Sequence, residues 1–219
     1  MKNKIIVVAV HPDDETLGCG GTLLKHIANG DKIHWLICTT LNKSHNYYQN
    51  REKEINKVSK FFNFDSVHNL RFETTKMDQY KMIEIIEKIS KVINKVKPNI
   101  IYLPFKEDVH TDHKKIFEAS YSCTKSFRYP FIKKIYMMET LSETEFAPST
   151  KKDSFVPNTF VDISKYMDKK IQIMKVYKSE IGKFPFPRSV RSIKVLASFR
   201  GSTSGFGFAE SFILLKEKI

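Results

Sequence analysis

The stretch KIIVVAVHPDDE, Lys4 to Glu15, decides the fold. Its first seven residues form an apolar run without polar alternation, the pattern of a strand buried on both faces of a parallel sheet, and the run ends in a turn at His11. Downstream, Leu17, Leu23, Leu24 and Ile27 fall at helical spacing over Thr16 to Asn29, and Asn29-Gly30 is a stop signal. Ile33 to Thr39 reads as a second strand, Arg51 to Phe62 as a helix with Ile55, Val58, Phe61 and Phe62 on one face, and Ser66 to Leu70 as a short strand. Met82, Ile85, Ile86, Ile89 and Ile93 line a long helix that Asp78 can cap and that ends before Pro98. A buried strand at Ile100 to Leu103, a helix over Lys114 to Phe127 and a strand at Ile135 to Met138 complete a βαβαβαβ alternation. The expectation is an α/β fold, a mainly parallel sheet with helices on both faces and ligands at the carboxyl ends of its strands. Beyond Glu139 the pattern changes to extended pieces around Phe155 and Phe160, a helix near Ser164 to Ser179, a rigid Phe184 to Arg188 connection, a short helix from Ser189 and an edge strand at Phe212 to Leu215. This is a C-terminal elaboration of a single domain over residues 1–219.

Composition narrows the function. Among 219 residues, 41% are hydrophobic, enough for one sizeable core. No apolar stretch approaches the roughly 20 residues of a membrane helix, and the N-terminal run is too short for a secretory signal, so membrane insertion is not expected. Cys19, Cys38 and Cys123 are odd in number and lack CxxC spacing, which fits the cytoplasm better than a disulfide framework. Lys and Arg number 37 against 24 Asp and Glu, a formal charge of +13. The lysines are scattered and no RRM, KH or zinc-finger pattern occurs, so no nucleic-acid partner is expected, while an anionic sugar stays open.

Two clusters carry chemistry. His11-Pro12-Asp13-Asp14-Glu15 lies between the first strand and the first helix, where its side chains enter the ligand crevice, and an i, i+3 pair such as His11 and Asp14 can converge on a metal. Asp108-Val109-His110-Thr111-Asp112-His113 follows the strand Ile100 to Leu103 at the same sheet edge. Two imidazoles and a carboxylate from separate loops form an N₂O set with an open position, as catalytic zinc requires. Helix capping explains one Asp at a helix start, but not two His/Asp clusters at two strand ends.

At these residues the sequence resembles the PIG-L (LmbE-like) family of zinc-dependent N-acetylglucosamine deacetylases. The HPDDE-type turn is Ala9 to Glu15, and an HxDH-type turn is His110-Thr111-Asp112-His113. Weaker landmarks are Arg51-x-x-Glu54, Lys170, Tyr177, Ser179 and Ala209-Glu210-x-Phe212. The resemblance implies a Rossmann-like fold, Zn²⁺ held by His11, Asp14 and His113, and Asp13 as acid/base. General chemistry agrees: an unligated carboxylate beside zinc can take a proton from attacking water. His110 is placed to stabilise the oxyanion, and Asp112 to orient His110 and favour its protonated form. Either Asp13 or His110 can protonate the leaving amine.

Arg51 is the leading substrate contact, with a surface pair to Glu54 as the plain alternative, and Arg188 a weaker one. The implied substrate is a small N-acetylated sugar, and a homo-oligomer is compatible. A magnesium-dependent phosphoesterase, using the carboxylates of the first turn, and a non-catalytic sugar-binding protein are the competing classes.

Overall fold

In the computed structural model, which describes residues 2–148, 150 and 153–219, the N-terminal apolar run forms β1 (Lys4–Ala9) inside a seven-stranded sheet. Its parallel neighbours are β2 (Lys32–Thr40) and β4 (Ile100–Leu103). Beyond them lie β3 (Ser66–Glu73) and β5 (Lys134–Met138), also parallel. Ile5 to Val10 have no exposure because both faces of the sheet are covered. On one face pack α1 (Asp14–Ala28), α2 (Tyr48–Phe62), α5 (Met167–Met174) and α6 (Val190–Ser202). On the other pack α3 (Met82–Val96) and α4 (Thr111–Ser122). The chain reverses direction across the sheet between β1 and β4, so the two clusters flank a topological switch point.

Several expectations change at the periphery. The C-terminal strand is not an edge strand: β7 (Ala209–Glu217) runs antiparallel between β5 and β6 (Thr159–Asp162), and β6 takes the edge. Asp78 does not cap α3. It lies in a 3₁₀ turn, Met77–Gln79, that buries Met77, and Lys81 takes the N-cap position without a side-chain bond. Phe155 is outside any strand and packs edge-on against Phe105. α4 stops at Ser122, five residues early, where Thr124 Oγ1 donates to the Tyr121 carbonyl. The helix expected over Ser164 to Ser179 shrinks to α5, because Ser164 is drawn into a turn by Asp162 and the chain after Met174 turns to bring Tyr177 inward.

One joint ties this periphery to β1's helix. α1 is broken at Cys19 (φ −148°, ψ 19°), which frees backbone groups in mid-helix. Glu210 of β7 accepts from the Gly21 and Thr22 N–H groups at 2.8 and 2.7 Å, and Lys170 of α5 donates to the Leu17 carbonyl at 2.8 Å. The two side chains also pair with each other at 2.7 Å. A Cβ on Gly18 would lie 2.7 Å from Met138 Sδ and 2.9 Å from its Cγ, so a larger residue there would have to displace the Met138 side chain or α1. Glu210→Ala strips a buried ammonium and two N–H groups of their partner, and should cost about 3–5 kcal/mol in denaturant unfolding. A loss below about 1 kcal/mol would show that the joint carries no such weight.

Candidate active site

Asp13 follows β1 with φ 137° and ψ −25°, a backbone conformation that side chains other than glycine rarely adopt. Holding it there costs on the order of 1–3 kcal/mol, so surrounding contacts must fix it. They do. Glu15 Oε2 accepts from the Asp13 N–H at 3.1 Å, and Arg51 Nη1 donates to the Pro12 carbonyl at 2.8 Å. Glu15 is itself buried, accepting from Thr16 Oγ1 (2.5 Å) and Tyr177 OH (2.8 Å), and burial raises its carboxyl to about 7. Although Asp13 stands at the N-cap of α1, its side chain makes no cap bond. The carboxylate instead lines the cleft at 5% exposure, and burial followed by the neighbouring Asp14 raises its pKa well above the usual range.

Beside it, three lone pairs converge. His113 Nε2 is 3.4 Å from Asp14 Oδ2 and 3.4 Å from His11 Nδ1. Ligands about 2.1 Å from a tetrahedral ion lie roughly 3.4 Å apart, so the spacing fits zinc. Burial pulls the His113 imidazole down, but Asp14 and Asp108 outweigh it and raise it to about 9; the site attracts a cation. The two imidazoles favour zinc over magnesium as that cation. A second group, His11, His110 and Asp112, is also close enough to share an ion. Its lone pairs are already engaged, since His110 Nδ1 accepts from the Asp112 N–H at 3.1 Å and Asp112 Oδ2 faces His11 and the Thr75 N–H.

The outer nitrogens of the first trio are anchored by carboxylates. His11 Nε2 lies 3.3 Å from Asp112 Oδ2, and His113 Nδ1 lies 2.8 Å from Asp108 Oδ2. Asp112 therefore orients His11, not His110 as the sequence suggested. Nor is His110 held protonated: burial and the adjacent imidazoles of His11 and His113 lower it to about 4. With Nδ1 accepting, its proton sits on Nε2. The sequence marks Asp108 only as part of a cluster, and Thr144, which donates to its other oxygen at 2.6 Å, gives no signal there.

His11, Asp13, Asp14 and His110 border a cleft of about 260 Å³. Arg51, only 6% exposed, is no surface residue; besides Pro12 it binds Ser179 Oγ at 2.9 Å and the Glu180 carboxylate, and it faces Glu54 at 3.4 Å. Arg188 also lines the cleft, donating to Ser142 Oγ at 2.7 Å and to Glu180 Oε2 at 3.0 Å. Glu180 thus bridges both arginines, a role invisible in the sequence.

The family described as PIG-L, GlcNAc-PI de-N-acetylase, matches residues 6–124, which hold every member of the trio and Asp13. The chain belongs to the PIG-L family. Membership places it among amide hydrolases that act on N-acetyl groups. Diacetylchitobiose deacetylase of Thermococcus kodakarensis is 23% identical over 223 residues, 94% of this PIG-L chain and 81% of that one. The solved N,N'-diacetylchitobiose deacetylase of Pyrococcus horikoshii superposes with a TM-score of 0.79 at 18% identity, covering 98% of this chain and 84% of that one. GalB, a 4-carboxy-2-hydroxymuconate hydratase of Pseudomonas putida, also reaches 0.79, at 15% identity over 100% and 98% of the two chains. A hydratase on this fold means that shape alone does not select the reaction.

Asp108 touches none of the cleft, yet Asp108→Ala frees the His113 ring to turn. Divalent-metal affinity, measured by competition with a chromogenic chelator, should fall about 10- to 100-fold. Unchanged affinity would refute the anchoring role.

Proposed function

We propose that this PIG-L protein is a zinc-dependent N-deacetylase of an N-acetylated amino sugar or its conjugate, with His11, Asp14 and His113 as the metal ligands. The supporting observation is the convergence of those three donors on one point with an unligated, strained carboxylate, Asp13, at its side. When bound, zinc supplies Lewis acidity, polarising the acyl oxygen and lowering the pKa of a water molecule toward about 7. Asp13 accepts the proton of the attacking water, a role suited to a carboxylate whose pKa burial has raised. His110, neutral with its proton on Nε2, donates to the oxyanion of the tetrahedral intermediate. Because His110 is not an imidazolium near neutral pH, Asp13 carries the accepted proton to the departing amine. Arg51 and Arg188 hold the sugar, the first through the Nη1 edge that also steadies Pro12, the second from beside it across Glu180.

The cleft is smaller than the roughly 300–1,000 Å³ of drug-sized sites, a size suited to one sugar ring with its acetamido group. Two imidazoles in the donor set argue against the magnesium phosphoesterase. A binding protein would not need a strained carboxylate beside an open metal position. Three buried free cysteines support a cytoplasmic setting.

Asp13→Asn should keep zinc and thermal midpoint while kcat falls about 10²- to 10⁴-fold, since the amide is nearly isosteric but cannot accept a proton. Zinc content, Tm and acetate release on one preparation test this. Near-normal turnover with zinc bound would remove Asp13 as the base, and a loss that tracks zinc content would make it a ligand instead.

A further inference from the structure

Behind the cleft, between α2 and the segment that follows α5, runs a groove of about 660 Å³. Lys53 and Lys57 of α2 stand on one wall, Lys175 and Lys178 on the other, and all four are exposed. None of them is in an ion pair among the described residues; the lysines that are paired are Lys76, Lys106, Lys134, Lys170 and Lys194. Glu54 is the acidic residue of the lining, and its charge is already committed. Its Oε1 accepts from Tyr47 OH at 2.7 Å and the Lys178 N–H at 3.1 Å, and its Oε2 faces Arg51. Phe61 adds an apolar surface that the ammonium groups of Lys57 and Lys169 approach at 5.9 and 4.9 Å.

The groove and the cleft share a wall one guanidinium thick. Arg51 Nε faces Glu54 in the groove, while Nη2 binds Ser179 of the groove and Glu180 of the cleft. The charge balance differs on the two sides. In the cleft, Arg51 faces both Glu180 and Glu54 and Arg188 faces Glu180, so the two guanidiniums are matched by two carboxylates. Four unpaired ammonium groups around one concavity repel each other, and an anion relieves that repulsion. A second copy of this chain, at +13, carries the wrong charge to fill it.

We propose that the groove binds an acidic glycan segment, bearing carboxylate or phosphate groups, attached to the sugar whose acetamido group enters the cleft. This rests on the deacetylase reading. Binding to the Asp13→Asn protein at low salt tests it without turnover, using three probes. Heparosan tetrasaccharide carries carboxylates, UDP-N-acetylglucosamine carries phosphates, and chitotetraose is the neutral control. At least one acidic probe should bind roughly tenfold or more tighter than chitotetraose, with an advantage that fades as salt rises. The tighter of the two names the anion. Adding Lys53→Ala, Lys57→Ala, Lys175→Ala and Lys178→Ala together should abolish the advantage and leave Tm and chitotetraose affinity unchanged. No acidic preference, or one that survives the four substitutions, overturns the proposal. If the preference is present but the wild-type protein releases acetate from none of the three, anion binding in the groove stands, while the deacetylase reading falls and with it the link to an acetamido sugar in the cleft.

Discussion

The backbone of Asp13 is the constraint on which the site depends. A strand buried on both faces must end abruptly where it meets the crevice, and the turn that ends it throws His11 and Asp14 to one side and Asp13 to the other. That division of labour, two groups for an ion and one left free, requires a φ of 137° that an aspartate does not adopt unaided. Glu15 holds the Asp13 amide and Arg51 holds the Pro12 carbonyl, so the strain is met from both ends of the turn.

Those two clamps explain why the C-terminal third of the chain matters to a site built from its N-terminal half. Tyr177 bonds Glu15, Ser179 and Glu180 bond Arg51, and Glu180 carries the tie on to Arg188 and the loop at Ser142. The Lys170–Glu210 pair, seated in the break of α1, fixes the helix that opens with Asp14. The elaboration is therefore the outer half of the active-site wall.

What the sequence disclosed follows from range. Apolar runs such as Ile5 to Val10 and the periodic face of α3 are local signals, and they placed the parallel half of the sheet and its helices correctly. The HPDDE and HTDH turns were legible because their residues sit within a few positions of each other at strand ends. Thr144 and Glu180 act through contacts that reach across the chain, such as Thr144 to Asp108, and nothing local marks them, while Asp108 shows only as part of its cluster and Tyr177 only as a landmark without its bond to Glu15. The misassignment of Asp112 has the same origin. It is two residues from His110 in sequence, but the first turn of α4 points its carboxylate at His11, 101 residues away, and leaves only its amide for His110.

A crystal structure of the protein equilibrated with zinc tests the central claim most directly. The account predicts one ion per chain held by His11 Nδ1, an Asp14 carboxylate oxygen and His113 Nε2, with Asp13 unligated and still at positive φ. An ion bound through Asp13, or seated between His11, His110 and Asp112, would contradict it.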